Sequence, residues 1–261
     1  MQMADAFLED VEESKAFMLV RSYKELLDAE KKKKIGLILG CEGGEIIEND
    51  IHLLHVYYRL GLRVFGFMWN QRNLLADGWD HLNDDQGLSD YGKQVVEEVE
   101  KMGIVIDLAH MAPKGWWDIM EIAKKPLIVS HTSTRGPPNA SVRAMTDDQL
   151  KAVADNGGIV GIIAIYSETI IRSIPDLKAY CDHIEHVMTI AGPKHVALGP
   201  DFGYFLGGAI PNDDSQLVKD LEDHSKLYKV INELARRGIS EKDIRMIARD
   251  NFVRVFKQVC G

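Results

Sequence analysis

Six short apolar runs, each followed by an amphipathic stretch, limit most strongly what this chain can fold into. The runs are Ile35–Gly40, Leu62–Met68, Ile104–Leu108, Pro126–Ser130, Gly158–Ile165 and His195–Gly199. Unbroken apolar segments such as IGLIL, IVIDL and PLIVS suit strands buried on both faces. Helical patterns fill the intervals at 22–33, 49–59, Trp116–Lys124, 146–155 and 175–191. Ser89 reads as the N-cap of a helix reaching about Met102, with Val95, Val96 and Val99 on one face. The remainder reads as helical at about 214–237, 241–248 and 250–258. Strict alternation of strand and helix predicts a parallel sheet with helices outside it. A closed (β/α) TIM-type barrel needs eight strands. The expectation is therefore an α/β barrel lacking its first two strands, in a single domain over residues 1–261.

Composition narrows the partners. The formal net charge is −9, which argues against a nucleic-acid backbone as the main partner. The one basic run, Lys31 to Lys34, reads as a solvated helix end, where cations suit the negative pole of the helix dipole. Cys41, Cys181 and Cys260 are far apart and form no CxxC pair, which excludes a disulfide framework and a thiolate zinc site. The opening Met1–Glu13 is acidic and has no leader pattern, and no segment has the apolar length of a membrane span. A cytoplasmic protein without a membrane partner is the expectation.

In a barrel of this kind chemistry collects where the strands end. Glu42 follows the first run, His110 the third, His131 the fourth and Asp201 the sixth. Each has a plain structural reading. Glu42 before Gly43 and Gly44 would cap a turn, Asp201 would be an N-cap, and a lone histidine past a strand usually serves a backbone carbonyl. Taken together, two imidazoles and a carboxylate are a natural ligand set for zinc or a similar divalent ion. Asp201 would then act as acid or base. His52 and His55 read as surface or packing residues. Trp116 and Trp117 read as packing a helix against the barrel.

These residues sit in segments that resemble the membrane dipeptidase (renal dipeptidase) family of metallopeptidases. The segments are LILGCEGGE, LGLRVFGFMWNQRNLLADGW, GLSDYGKQVV, GIVIDLAHM, PLIVSHTS, RAMTDDQL, HVALGPDF and DNFVRVF, in family order from about residue 20 onward. The resemblance implies a barrel with two divalent metals, usually zinc, that cleaves dipeptides through a metal-bound hydroxide. By position it implies that Glu42 bridges the metals, that His110 and His131 hold one of them, and that Asp201 handles protons. It also implies that Arg143 grips the substrate carboxylate. Trp69 stands where some relatives have a substrate-contacting histidine, and Trp69 and Asn70, which open a WNxxN stretch like that of the bacterial branch, are by this resemblance expected to bind substrate.

The sequence departs from the family in three places. No HxD pair stands upstream of Glu42, so one zinc or fewer is expected here, with impaired activity. Gly203 replaces the second aspartate of the family's DFDG, and Gly136, Pro137 and Pro138 alter the loop after SHTS. Two rival readings remain: a non-catalytic barrel remnant that binds metal or acts as a subunit, and an amidohydrolase-like enzyme on another small carboxylate-bearing amide. A barrel short of two strands would leave edges on Ile35–Gly40 and His195–Gly199. Residues Phe7, Leu8, Val11, Phe17 and Leu19 of the segment Met1–Val20 would cover only part of that gap, so a homo-oligomer is expected.

Overall fold

The computed structural model describes residues 2–136, 143–166, 174–202 and 216–261. They group into two compact units, Met1–Leu127 with Val253–Gly261, and Ile128–Phe252. Gly203 and the Pro137–Pro138 pair lie outside the described residues.

The first unit opens with helix α1 (Gln2–Glu13) and strand β1 (Phe17–Leu19), followed by α2 (Tyr23–Lys31), β2 (Ile35–Leu37) and β3 (Leu39–Glu42). Next come α3 (His52–Leu60), β4 (Leu62–Gly66), α4 (Asp90–Met102), β5 (Val105–Asp107) and α5 (Pro113–Ile122). Strands β3, β4 and β5 are neighbours and run parallel. Helix α4 starts where the sequence predicts: the Ser89 hydroxyl accepts from the Gly92 N–H, and Val95, Val96 and Val99 are buried. Of the lysine run, Lys31 ends α2, Lys32 is its C-cap and Lys31 to Lys33 are exposed, whereas Lys34 lies beyond the helix, half-buried, and donates to Phe17 O at 3.3 Å. Trp116 is buried but Trp117 is 43% exposed, so only the first of the pair packs inward.

The second unit carries β6 (Ile128–Thr132), α6 (Asp147–Asn156), β7 (Ile159–Ile162), β8 (Ile165–Tyr166), α7 (Leu177–Ala191), β9 (Val196–Leu198) and β10 (Gln216–Leu217). Helices α8 (Leu227–Arg236), α9 (Glu241–Arg245) and α10 (Asn251–Cys260) follow, the last continuing into the first unit. Strands β6, β7 and β9 are parallel neighbours. Helix α6 has a full capping box, in which Thr146 and Gln149 satisfy each other's backbone N–H. The first run falls on β2 and the start of β3, and the other five supply β4 to β7 and β9, all parallel to their neighbours within each unit.

Two expectations need correction. The Ile35–Gly40 run is not an open edge along its whole length. Phe17–Leu19 pairs with Ile35–Leu37 in parallel register, reinforced by Ile35 N–H to Ala16 O at 2.8 Å and Val20 N–H to Leu37 O at 2.8 Å. The helix expected over 214–237 begins only at Leu227, and residues 214–215 lie outside the described set. Gln216–Leu217 is extended and pairs antiparallel with Ile165–Tyr166. Asp223 accepts from Ser225 N–H at 2.7 Å, a local bond that competes with helix continuation.

The cysteines are free, and burial pushes all three thiols up to about 12, which keeps them protonated and unreactive. Among the described residues no helix is long and apolar enough to cross a membrane.

Asn251, in the DNFVRVF segment, is buried and donates from Nδ2 to Pro193 O at 2.7 Å and Val196 O at 2.8 Å. It ties the start of β9 to α10. Replacing it with leucine leaves those carbonyls without that donor in an apolar setting, and should destabilise the protein by about 1–3 kcal/mol in urea unfolding.

Candidate active site

In the first unit, β3 ends at Glu42 and the chain turns at once through Gly43 and Gly44. The Gly44 N–H donates to Phe67 O at 3.0 Å. A Cβ at position 44 would lie 2.3 Å from a Leu75 methyl and 2.9 Å from that same oxygen, so only glycine permits this approach. The turn leaves the Glu42 side chain exposed beyond the strand end.

His110 lies three residues past β5 and is mostly buried. Its Nε2 is 3.0 Å from Glu42 Oε1, and its Nδ1 is 3.0 Å from Asn70 Oδ1. With the Asn70 amide oxygen as acceptor, the hydrogen bond is made by the tautomer that carries its proton on Nδ1. In the neutral ring Nε2 then bears a lone pair aimed at a carboxylate oxygen. Two acceptors at that distance repel unless a cation, either a second ring proton or a metal ion, lies between them. The donor chemistry therefore fits a divalent metal.

In the second unit, His131 lies within β6. Its Nδ1 is 2.8 Å from the Ser130 hydroxyl, and its Nε2 is 3.9 Å from Asp201 Oδ2. Asp201 is reached from β9 through Gly199 and Pro200. A Cβ at Gly199 would stand 1.9 Å from Ser130 O, and one at Gly161 would stand 2.0 Å from it, so bare backbone at both positions lets the three strands close up around that carbonyl. Pro200 O accepts from Ala164 N–H at 2.9 Å and fixes the approach to Asp201.

The structure thus pairs Glu42 with His110 and His131 with Asp201. His110 and Asp201 also share a backbone feature that sequence patterns do not display: both hold positive φ, 65° and 55°. For residues with a Cβ this costs on the order of 1–3 kcal/mol each and persists only where the surroundings impose it.

Of the residues expected to touch substrate, Trp69 is 38% exposed, while the Asn70 side chain bonds to His110. Arg143 directly precedes Ala144 and Met145. Met145 is tied back to the segment after β6 by Met145 N–H to Ser133 O at 2.9 Å and Arg135 N–H to Met145 O at 3.0 Å, and Ala144 O accepts from Arg135 Nε at 3.0 Å.

Other residues that shape the site carried no obvious sequence signal. Asp77, within LLADGW, is buried and accepts from Arg72 and from Gln86 N–H. Burial alone would raise its carboxyl, but the Arg72 guanidinium and the Gln86 N–H outweigh that and hold it below the usual range. Fully buried His183 accepts at Nδ1 from Thr134 N–H at 3.0 Å, bracing the SHTST stretch.

The sequence matches the membrane dipeptidase family, peptidase family M19, over residues 1–260. The chain belongs to that family. The family is one of hydrolases that are metallopeptidases, and membership implies a metal cofactor. The chain is similar to an amidohydrolase from Pseudomonas aeruginosa, with 26% identity and a TM-score of 0.87, covering 100% of this chain and 83% of that one. It is similar also to a metallopeptidase from Rhodobacter sphaeroides liganded with a phosphinate mimic of the dipeptide L-Ala-D-Ala, at 23% identity and TM-score 0.87, covering 98% and 73%. A third likeness is to the probable dipeptidase PvdM from Pseudomonas aeruginosa, at 19% identity and TM-score 0.83, covering 99% and 77%. The last two show a shared fold, and the fold of the chain is the TIM-type (β/α) barrel class of these family members.

The positive φ at Asp201 yields a clean comparison. Asp201→Ala and Asp201→Gly both remove the carboxylate, but only alanine retains a Cβ. The alanine variant should be the less stable by about 1 kcal/mol, read from paired thermal or urea melts.

Proposed function

We propose that the chain is a zinc-dependent dipeptidase in which Glu42, His110 and His131 hold a divalent ion and Asp201 moves the proton. The observation that carries this reading is the family match over residues 1–260, and the resemblance of the strand-end segments to the family's motifs assigns these residues their roles. The donor set supports it: Glu42, His110 and His131 offer one carboxylate oxygen and two imidazole nitrogens suited to one ion. Such an ion, when bound, supplies Lewis-acid polarisation of the scissile carbonyl and acidifies water.

The chain's own residues do the rest. Arg143 pairs with the C-terminal carboxylate of the substrate through parallel N–H donors, and so selects short peptides by their free end. Trp69 offers an apolar face to a substrate side chain. A water oxygen adds to the carbonyl carbon and the C–N bond breaks. Asp201 takes a proton from that water and delivers it to the departing nitrogen.

Metal analysis tests the ligand set. Wild-type protein reconstituted with zinc should retain it after desalting, and His110→Ala and His131→Ala should not. Equal, near-zero zinc in all three would overturn the assignment.

A panel of dipeptides, L-Ala-D-Ala among them, tests the activity. Hydrolysis should require a free C-terminal carboxylate. Arg143→Ala should lower kcat/KM by roughly 100-fold, the worth of about 3 kcal/mol of charge-assisted hydrogen bonding. Equal turnover of C-terminally amidated dipeptides would count against the Arg143 role.

A further inference from the structure

We propose that Asn70 is a positioning residue that sets the tautomer and ring orientation of His110, and not a substrate contact. The inference rests on the metal-binding reading of His110.

An imidazole can present either nitrogen to a metal, and the hydrogen bond at the other nitrogen decides which. Here Asn70 Oδ1 sits 3.0 Å from Nδ1, which fixes the proton there and turns the Nε2 lone pair toward Glu42. The backbone of His110 does not favour this arrangement unaided, because its φ of 65° lies in a region that residues with a Cβ rarely adopt. A tether from outside its own segment is needed, and Asn70 supplies it from 40 residues away in the chain.

The loop that carries Asn70 is braced against the segment that carries His110. The Asn70 carbonyl accepts from Asp80 N–H at 3.0 Å, and the Asp77 carbonyl accepts from Ala112 N–H at 3.0 Å. Gly78 forms an antiparallel bridge with Met111, the residue after His110. Asp77 itself is pinned by Arg72 and Gln86. Both ends of the Asn70–His110 bond therefore belong to one stitched assembly within the first unit.

The second asparagine of WNxxN has a different task. Asn73 donates to Phe67 O at 2.8 Å and accepts from Leu75 N–H at 2.7 Å, so it builds its own loop. An amide at position 70 has a further chemical merit: it accepts the Nδ1 proton without being able to remove it.

The experiment compares wild type, Asn70→Ala and Asn70→Asp, with thermal melts to verify folding. Zinc affinity is measured by competition with a chromophoric chelator. Nitrogen-15 histidine NMR reads the His110 tautomer in zinc-loaded protein and the Nδ1–H hydrogen bond of the protonated ring in metal-free protein. Asn70→Ala should bind zinc roughly 10–100-fold more weakly and lose the single Nδ1–H tautomer. Asn70→Asp, which keeps the acceptor, should retain both. Wild-type affinity and tautomer in Asn70→Ala would overturn the proposal, as would an Asn70→Asp variant as impaired as Asn70→Ala. If wild type takes up no zinc, the metal reading fails, and an Nδ1–H hydrogen bond to Asn70 from the protonated ring of metal-free protein, present in wild type and lost in Asn70→Ala, still decides the role of Asn70.

Discussion

His110 Nε2 and a Glu42 carboxylate oxygen stand 3.0 Å apart beyond the end of β3, a contact that is favourable only with a ring proton or a metal cation between them. The surrounding structure serves that juxtaposition. Asn70 determines which nitrogen faces Glu42. The Gly43–Gly44 turn carries Glu42 off the strand at an angle that a side chain at position 44 would forbid. The Asp77 loop holds Asn70 against the segment of His110.

The second unit shows the same economy of backbone. His131 and Asp201 come from strands that flank β7, and Gly161 and Gly199 let those strands approach the Ser130 carbonyl more closely than any Cβ would allow. Asn251 anchors the first residue of β9, while Asp201 beyond its far end is held in a left-handed conformation. A positive φ at a residue with a Cβ persists only where the surrounding structure imposes it.

The parallel strands and most helices were legible because each carries a long periodic signal or a chemical marker, as with Ser89 ahead of Val95, Val96 and Val99. The missed elements lack one. Phe17–Leu19 is three residues long, too short for periodicity to register, and becomes a strand only because β2 lies beside it. The 214–237 stretch has helical apolar spacing, yet Leu217 is extended against Ile165 and Asp223 bonds to nearby backbone instead. Trp116 and Trp117 are chemically identical neighbours, and only the rotation of α5 decides that the first is buried and the second exposed.

Glu42, His110, His131 and Asp201 stood out because of where they fall relative to the apolar runs, and that placement depends only on their order along the chain. The sequence by itself determined the alternation of strand and helix, the family, and the identity of the groups that follow each strand. Tertiary structure alone decided that Asn70 meets His110, that the Nε2 edge faces Glu42, and that His110 and Asp201 take positive φ. Those outcomes rest on contacts between residues tens of positions apart, whose distances and angles arise from packing, whereas periodicity along a sequence encodes only which face of an element is apolar.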